Sequence, residues 1–314
     1  MEKYNYDDVE VLPLNQETPQ LCRILYDDEY KHVMGTLLSL MHAKEYSERA
    51  LALSENALDL LASHYSIWIY RFDIIVNLQK DLVEELDWCE QIALENEKNY
   101  QIWNYRQLLI NKIVDNGGEF NPHREFPIIQ SMLESDAKNH HVWSYRKWLV
   151  EKFALYNDAK ELQFVNDCLA KDIRNNSAWS HRFMIKFSQI STYKENQQIV
   201  DEEIEYTKAA IEQSPQNPSS WNYLRGIYSK FSLDYSNLKS FVHKFVDLKN
   251  ITQDNENIAV KSTFALEVLG QIYLLEKKYD DSIEVYNLLG TIFDPIRKNY
   301  WQYQITKVQS ITKA

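Results

Sequence analysis

Two short stretches carry residue types that could handle an anion. The first is Lys98-Asn99-Tyr100-Gln101 and the second is Lys138-Asn139-His140-His141. In each, an asparagine suited to capping a helix is preceded by a lysine and followed by hydrogen-bonding side chains. The first turn of a helix presents free backbone N–H groups and the positive end of the dipole, so it favours an anion before any side chain is counted. A lysine one residue ahead of the cap adds a full charge. Two such ends side by side would suit a diphosphate or a carboxylate. The same residues also fit a plainer role, a solvated lysine beside an ordinary asparagine cap. Taken alone, they leave both readings open.

Other chemistry finds little support. There is no Gly-x-Ser-x-Gly, His-Glu-x-x-His, Cys-x-x-Cys or Walker loop. His140-His141 is the only adjacent histidine pair, and neighbouring residues on a helix diverge, so a shared metal is not expected. The net charge of −12 argues against nucleic acid as a partner. No apolar run approaches the ~20 residues of a membrane span. The acidic start, Met1 to Asp8, lacks the apolar core of a signal sequence. Cys22, Cys89 and Cys168 are odd in number and far apart, as expected of reduced, mostly buried thiols in a cytoplasmic protein. The Asn-x-Ser/Thr matches at Asn175 and Asn250 then read as incidental.

The elements that must position these stretches repeat along the chain. Tyr65-Ser66-Ile67-Trp68-Ile69-Tyr70-Arg71 precedes Gln101-Ile102-Trp103-Asn104-Tyr105-Arg106. His141-Val142-Trp143-Ser144-Tyr145-Arg146, Ser177-Ala178-Trp179-Ser180-His181-Arg182 and Ser219-Ser220-Trp221-Asn222-Tyr223-Leu224-Arg225 follow, with a frayed copy at Lys298 to Tyr303. The Trp-to-Trp steps are 35, 40, 36 and 42, then 80, which is two steps of 40. A period in this range marks a helical-repeat array. Asn217-Pro218 sets the register, because Asn caps helices and Pro suits the first helical position. Asn99, Asn139 and Asn175 occupy the same slot, four residues before Trp. Trp and the Arg three residues on then share a helix face. Trp is expected to pack between neighbouring hairpins, and Arg to bond carbonyls or a carboxylate there.

Taken in order, residues 1–26 read as an irregular arm and 27–314 as the array. Helical periodicity begins at Asp28, and a second helix runs to about Leu61. The helices upstream of the caps are expected over 82–96, 126–136, 162–172 and 199–213. The stretch 254–259 reads as a loop. Around Phe264 to Tyr273 one copy has lost its Trp, and helices over 282–289 and 298–307 close the array. Six or seven hairpins are expected. The fold class is all-α: a right-handed superhelix, or solenoid, of stacked helical hairpins of the tetratricopeptide-like kind.

These motifs resemble the α subunit shared by protein farnesyltransferase and type I protein geranylgeranyltransferase. The resemblance covers about residues 60–305. Besides Lys98 to Trp103 it rests on Asp172 to Ser177, Trp221 to Gly226 and Asp294 to Trp301. It implies an α subunit wrapped around a β subunit that carries the catalytic zinc, most of the isoprenoid pocket and the choice of prenyl length. The enzyme alkylates the cysteine of a C-terminal Cys-a-a-X (CaaX) sequence with a farnesyl or geranylgeranyl group and expels diphosphate. Zinc would make the cysteine a thiolate at neutral pH. Any magnesium requirement would depend mainly on β.

By the same resemblance, Lys98 falls on a lysine that contacts the diphosphate and Tyr100 on a neighbouring tyrosine. Gln101 falls on the glutamine that reads the peptide's C-terminal carboxylate, and Tyr65 on a tyrosine lining the peptide side. Asn139 and His141 match active-site residues of the next repeat. His140 stands where the family has tyrosine: the hydroxyl is missing, and a ring N–H is the donor that remains. Two alternatives fit parts of the pattern. A Rab geranylgeranyltransferase α subunit shares the repeats but tends to lack the Lys-Asn-Tyr-Gln form. A non-catalytic tetratricopeptide-like scaffold wants Gly and Ala at its helix crossings.

Overall fold

The computed structural model describes residues 4–14, 21, 24–248 and 259–313. Among them are fifteen α-helices and no strand, only an isolated bridge between Val246 and Val260. Cys22, Asn250 and nearly all of the stretch 254–259 lie outside the described residues. The chain forms two compact units, Met1–Phe153 and Ala154–Ala314.

The first unit holds α1 (Asp28–Ala43), α2 (Glu48–Leu60), α3 (Tyr65–Asn77), α4 (Leu82–Glu95), α5 (Gln101–Asp115), α6 (Phe126–Ser135) and α7 (His140–Phe153). The second holds α8 (Ala159–Lys171), α9 (Asn176–Phe187), α10 (Gln197–Gln213), α11 (Pro218–Lys230), α12 (Lys239–Val242), α13 (Thr263–Leu275), α14 (Tyr279–Leu288) and α15 (Lys298–Lys313). Seven helices among the described residues bear the Trp motif or its remnant: α3, α5, α7, α9, α11, α13 and α15. Each follows a partner helix, which makes seven hairpins after α1. In α13 Leu266 fills the Trp slot and is fully buried, while Ser262 caps the helix through Ala265 N–H at 3.2 Å.

The asparagine caps fall in the expected slots. Asn99 Oδ1 accepts from Gln101 N–H at 2.8 Å, Asn139 from His141 N–H at 3.1 Å, Asn175 from Ser177 N–H at 3.0 Å and Asn217 from Ser219 N–H at 3.0 Å. Buried in this cap, Asn175 is a structural residue rather than a glycan acceptor. The first copy departs: His64 precedes α3 and makes no side-chain cap bond. Helices α8 and α10 start earlier than apolar periodicity suggests, because their first turns are polar. Asp158, which accepts from Lys160 N–H at 2.7 Å, sets the start of α8.

Trp packs from hairpin to hairpin. Trp68 lies 4.9 Å from Tyr105, Trp103 4.9 Å from Tyr145, and Trp179 4.9 Å from Tyr223, centroid to centroid. Its indole N–H is used as well. Trp68 donates to Ala62 O at 2.7 Å, Trp143 to Ala137 O at 3.0 Å, Trp179 to Ile173 O at 2.8 Å and Trp221 to Pro215 O at 2.9 Å. The arginines meet buried carboxylates. Arg71 grips Glu85 through Nε at 2.6 Å and a second nitrogen at 3.0 Å; Arg106 grips Glu125 and Arg182 grips Glu203 in the same two-pronged way. The tyrosine of the next Trp motif completes each set: Tyr105 OH donates to Glu85 at 2.7 Å, Tyr145 to Glu125 at 2.8 Å and Tyr223 to Glu203 at 2.9 Å. Burial works against the charge on Arg106, yet the Glu125 carboxylate wins and pushes the guanidinium above its ordinary range.

Residues 4–14 contain no helix or strand and lie along α1 and α2. Arg49 pairs with Asp8 at 2.6 Å, and Leu12 N–H donates to Gly35 O at 3.2 Å. A Cβ at Gly35 would come 2.5 Å from Leu12 O, so this crossing requires glycine. Cys89 is wholly buried, which pushes its thiol up to about 12 and makes it unreactive; Cys168 is partly buried.

Candidate functional site

The starts of α3, α5 and α7 form a row in the first unit. Side-chain amides stitch them together. Asn99 Nδ2 donates to Ala62 O at 2.6 Å and Gln101 Nε2 to Ser63 O at 2.7 Å, which ties α5 to the loop before α3. Asn139 Nδ2 donates to Glu97 O at 2.8 Å, and Ser135 Oγ to Glu97 Oε1 at 2.7 Å, which tie the loop before α7 to the loop before α5. Each cap asparagine thus uses its oxygen on its own helix and its nitrogen on the hairpin before. The loops that carry Lys98 and Lys138 are fixed as a consequence.

This row brings Lys98, Tyr100, Asn139, His140 and His141 together. Lys98 is 73% exposed and its ammonium contacts the Asp136 carboxylate. Tyr100 is 55% exposed, and its ring stands 5.7 Å from that of His141. His140 is exposed, with its ring 5.7 Å from His141. Burial lowers the pKa of His141, and the nearby charges of His140 and Lys98 lower it further. A proton on His141 is thus disfavoured in the free chain, a penalty that an arriving anion would relieve. The backbone N–H groups of Gln101 and His141 are already taken by their cap asparagines, so the free attraction comes from side chains and dipoles.

Tyr65, 51% exposed, and Gln101 sit at the first positions of α3 and α5 on the other side of the row. Gln101 is only 6% exposed, and one end of its amide is held by Ser63 O. A ligand meeting it would use the remaining polar atoms of that amide.

Asp136, which meets Lys98 in this candidate site, is the residue that sequence reasoning missed. A faint signal existed: it stands three residues before Asn139, in the same slot that Asp172 holds before Asn175. Its Oδ1 accepts from Lys138 N–H at 3.1 Å, as that of Asp172 accepts from Arg174 N–H at 2.8 Å. Among the described residues no group of three or more His, Cys, Asp or Glu side chains could hold a metal ion. No described helix is long and apolar enough to cross a membrane.

The hairpins define the class of protein. The model of the protein prenyltransferase alpha subunit repeat matches residues 82–113, 122–153, 158–185 and 200–231, one hairpin each from α4/α5 to α10/α11. The farnesyltransferase/geranylgeranyltransferase type-1 subunit alpha of Candida albicans is 55% identical over 98% of this chain and 99% of its own. That of Pisum sativum is 30% identical over 96% of this chain and 93% of its own. The structure of Candida albicans protein geranylgeranyltransferase-I complexed with GGPP superposes with a TM-score of 0.90 at 53% identity, covering 98% of this chain and 100% of the matched chain. The chain belongs to the family of protein farnesyltransferase/geranylgeranyltransferase type-1 alpha subunits.

Proposed function

We propose that this chain is the α subunit of a heterodimeric CaaX protein prenyltransferase. The enzyme transfers farnesyl or geranylgeranyl from its diphosphate to the cysteine of a C-terminal Cys-a-a-X sequence. The observation that carries this reading is 55% identity, end to end, with a subunit of that name. The row of helix starts supports it: cationic, exposed, and held at fixed spacing by the cap asparagines.

In this reading the helix starts face the site shared with β. Lys98, with Tyr100, Asn139, His140 and His141 around it, attends the diphosphate. As the C–O bond to the isoprenoid breaks, negative charge grows on the leaving group, and a preorganised cation helps most where charge develops. The exposure of Lys98 supports this role, since its ammonium is open to an arriving ligand. Gln101 and Tyr65 face the peptide, Gln101 through the polar atoms that Ser63 leaves available. Zinc is assigned to the β subunit and to no residue of this chain; any magnesium would act with the diphosphate. Residues 27–314 work as one array behind a short arm, and the enzyme acts in the cytoplasm.

Co-expression with a prenyltransferase β subunit tests the proposal. The pair should transfer a prenyl group to a peptide ending in Cys-a-a-X, and amidating the peptide's C-terminus should weaken binding. Gln101→Ala should erase most of that discrimination, since a hydrogen bond to a charged group is worth roughly 1.5–3 kcal/mol. No transfer with any β subunit, or transfer only in the presence of a Rab escort protein, would overturn the proposal.

A further inference from the structure

We infer that Asp136 is a positioning residue for the reaction, one that holds the Lys98 ammonium in place before the diphosphate arrives. This rests on the diphosphate role proposed for Lys98. The carboxylate is itself fixed. Oδ1 accepts from Lys138 N–H at 3.1 Å, leaving Oδ2 to meet the lysine. The Asp136 carbonyl accepts from Asn139 N–H at 3.0 Å, inside the loop that Asn139 and Ser135 tie to Glu97. Lys98 thus reaches from one loop to a carboxylate anchored in the next, 38 residues on. The reach is a property of the repeat. In the second unit Arg174, also one residue before a cap asparagine, reaches Ser214, three residues before the next cap, at 3.5 Å. The residue in that slot decides whether the cation meets a charge. The lysine holds the Asp136 carboxyl below its ordinary value, and the Lys138 N–H adds to this, so the carboxylate is ionised at neutral pH.

Two opposite effects follow from one carboxylate. It freezes a long, rotamer-rich side chain into the geometry used in the transition state, which is worth rate. It also places a negative charge beside a polyanion, which weakens ground-state binding. A residue with a purely structural role would not separate the two.

The test uses the α–β heterodimer in four forms: wild type, Asp136→Asn, Lys98→Ala and the double variant. Asparagine keeps an acceptor for Lys138 N–H, and Asp136→Ser, which can also accept there, serves if it assembles poorly. Single-turnover transfer rates and prenyl diphosphate affinity are measured for each. Asp136→Asn should slow transfer on the order of tenfold, within the hundredfold that an ångström of misplacement can cost. Its affinity for prenyl diphosphate should be unchanged or tighter. In the Lys98→Ala background the same substitution should have no further effect on rate. If Lys98→Ala is slow but Asp136→Asn runs at the wild-type rate, or if Asp136→Asn slows both backgrounds equally, the positioning role is wrong while the site reading stands. If Lys98→Ala itself transfers at the wild-type rate, the site reading fails and this inference with it.

Discussion

At the scale of single residues, Lys98 carries the most weight and is the easiest to remove cleanly. It is exposed, it precedes the cap and it contributes nothing to the buried layers, so Lys98→Ala should assemble normally with β. Loss of one preorganised donor to developing charge typically costs ~3–4 kcal/mol, or roughly 10²–10³ in rate. The loss should fall on the chemical step more than on affinity. Lys138→Ala is the matched control, the same slot one hairpin later, and its effect should be several-fold at most. Single-turnover transfer by the two variants decides the matter; equal small losses would make Lys98 an ordinary lysine beside a cap. His141 offers an independent check. Its pKa is lowered by burial and then by the nearby His140 and Lys98, so it is largely neutral in the free protein at neutral pH. A bound diphosphate opposes the repulsion and raises that pKa. Binding should therefore take up protons at and just below the ordinary histidine value of 6.5. Calorimetry in buffers of different ionisation enthalpy would detect the uptake, and His141→Asn should abolish most of it. Proton-neutral binding would place His141 away from the anion.

At the scale of elements, α3, α5 and α9 are each fixed by a buried indole and by a buried carboxylate shared between two hairpins. Glu125→Ala would strand the fully buried Arg106 guanidinium and the Tyr145 hydroxyl, at a cost of roughly 3–5 kcal/mol. Trp103→Ala should cost about as much through the cavity it leaves against Tyr145. Asp28→Ala, at an exposed pair with Lys31, should cost under ~1 kcal/mol. Thermal unfolding of the three variants would test the ranking, and an unchanged melting temperature for Glu125→Ala would show that the shared carboxylate does not hold the hairpins. Much of this layer was legible in the sequence. The spacing of Trp, Arg and Asn fixed which helix starts where, because all three fall within one or two turns of the same helix. The acidic partners were not legible. Arg71, Arg106 and Arg182 find Glu85, Glu125 and Glu203 at separations of 14, 19 and 21, since loops of differing length intervene. Helix stops were faint for a related reason. With six glycines in the chain, Lys44, Gln79, Ser232 and Lys277 take the left-handed conformation at helix ends instead. Asp136 escaped notice because its meeting with Lys98 depends on two loops being stitched side by side.

At the scale of the whole molecule, the residues proposed for the site lie on open helix starts rather than in an enclosed chamber. Lys98, Tyr100, Tyr65 and His140 are all exposed in the isolated chain. An apolar isoprenoid chain and a water-sensitive leaving group require enclosure, because excluding water strengthens every charge interaction in the site. Another surface must cover this row for it to act, and an obligate interface of that kind buries on the order of 2,000–5,000 Å². The most direct measurement is prenyl transfer at a fixed concentration of the β partner while this chain is titrated in. The account predicts no turnover by either chain alone and a rate that rises to a plateau at one-to-one stoichiometry. Turnover by this chain rigorously freed of β, or a full rate from β without it, would contradict the account.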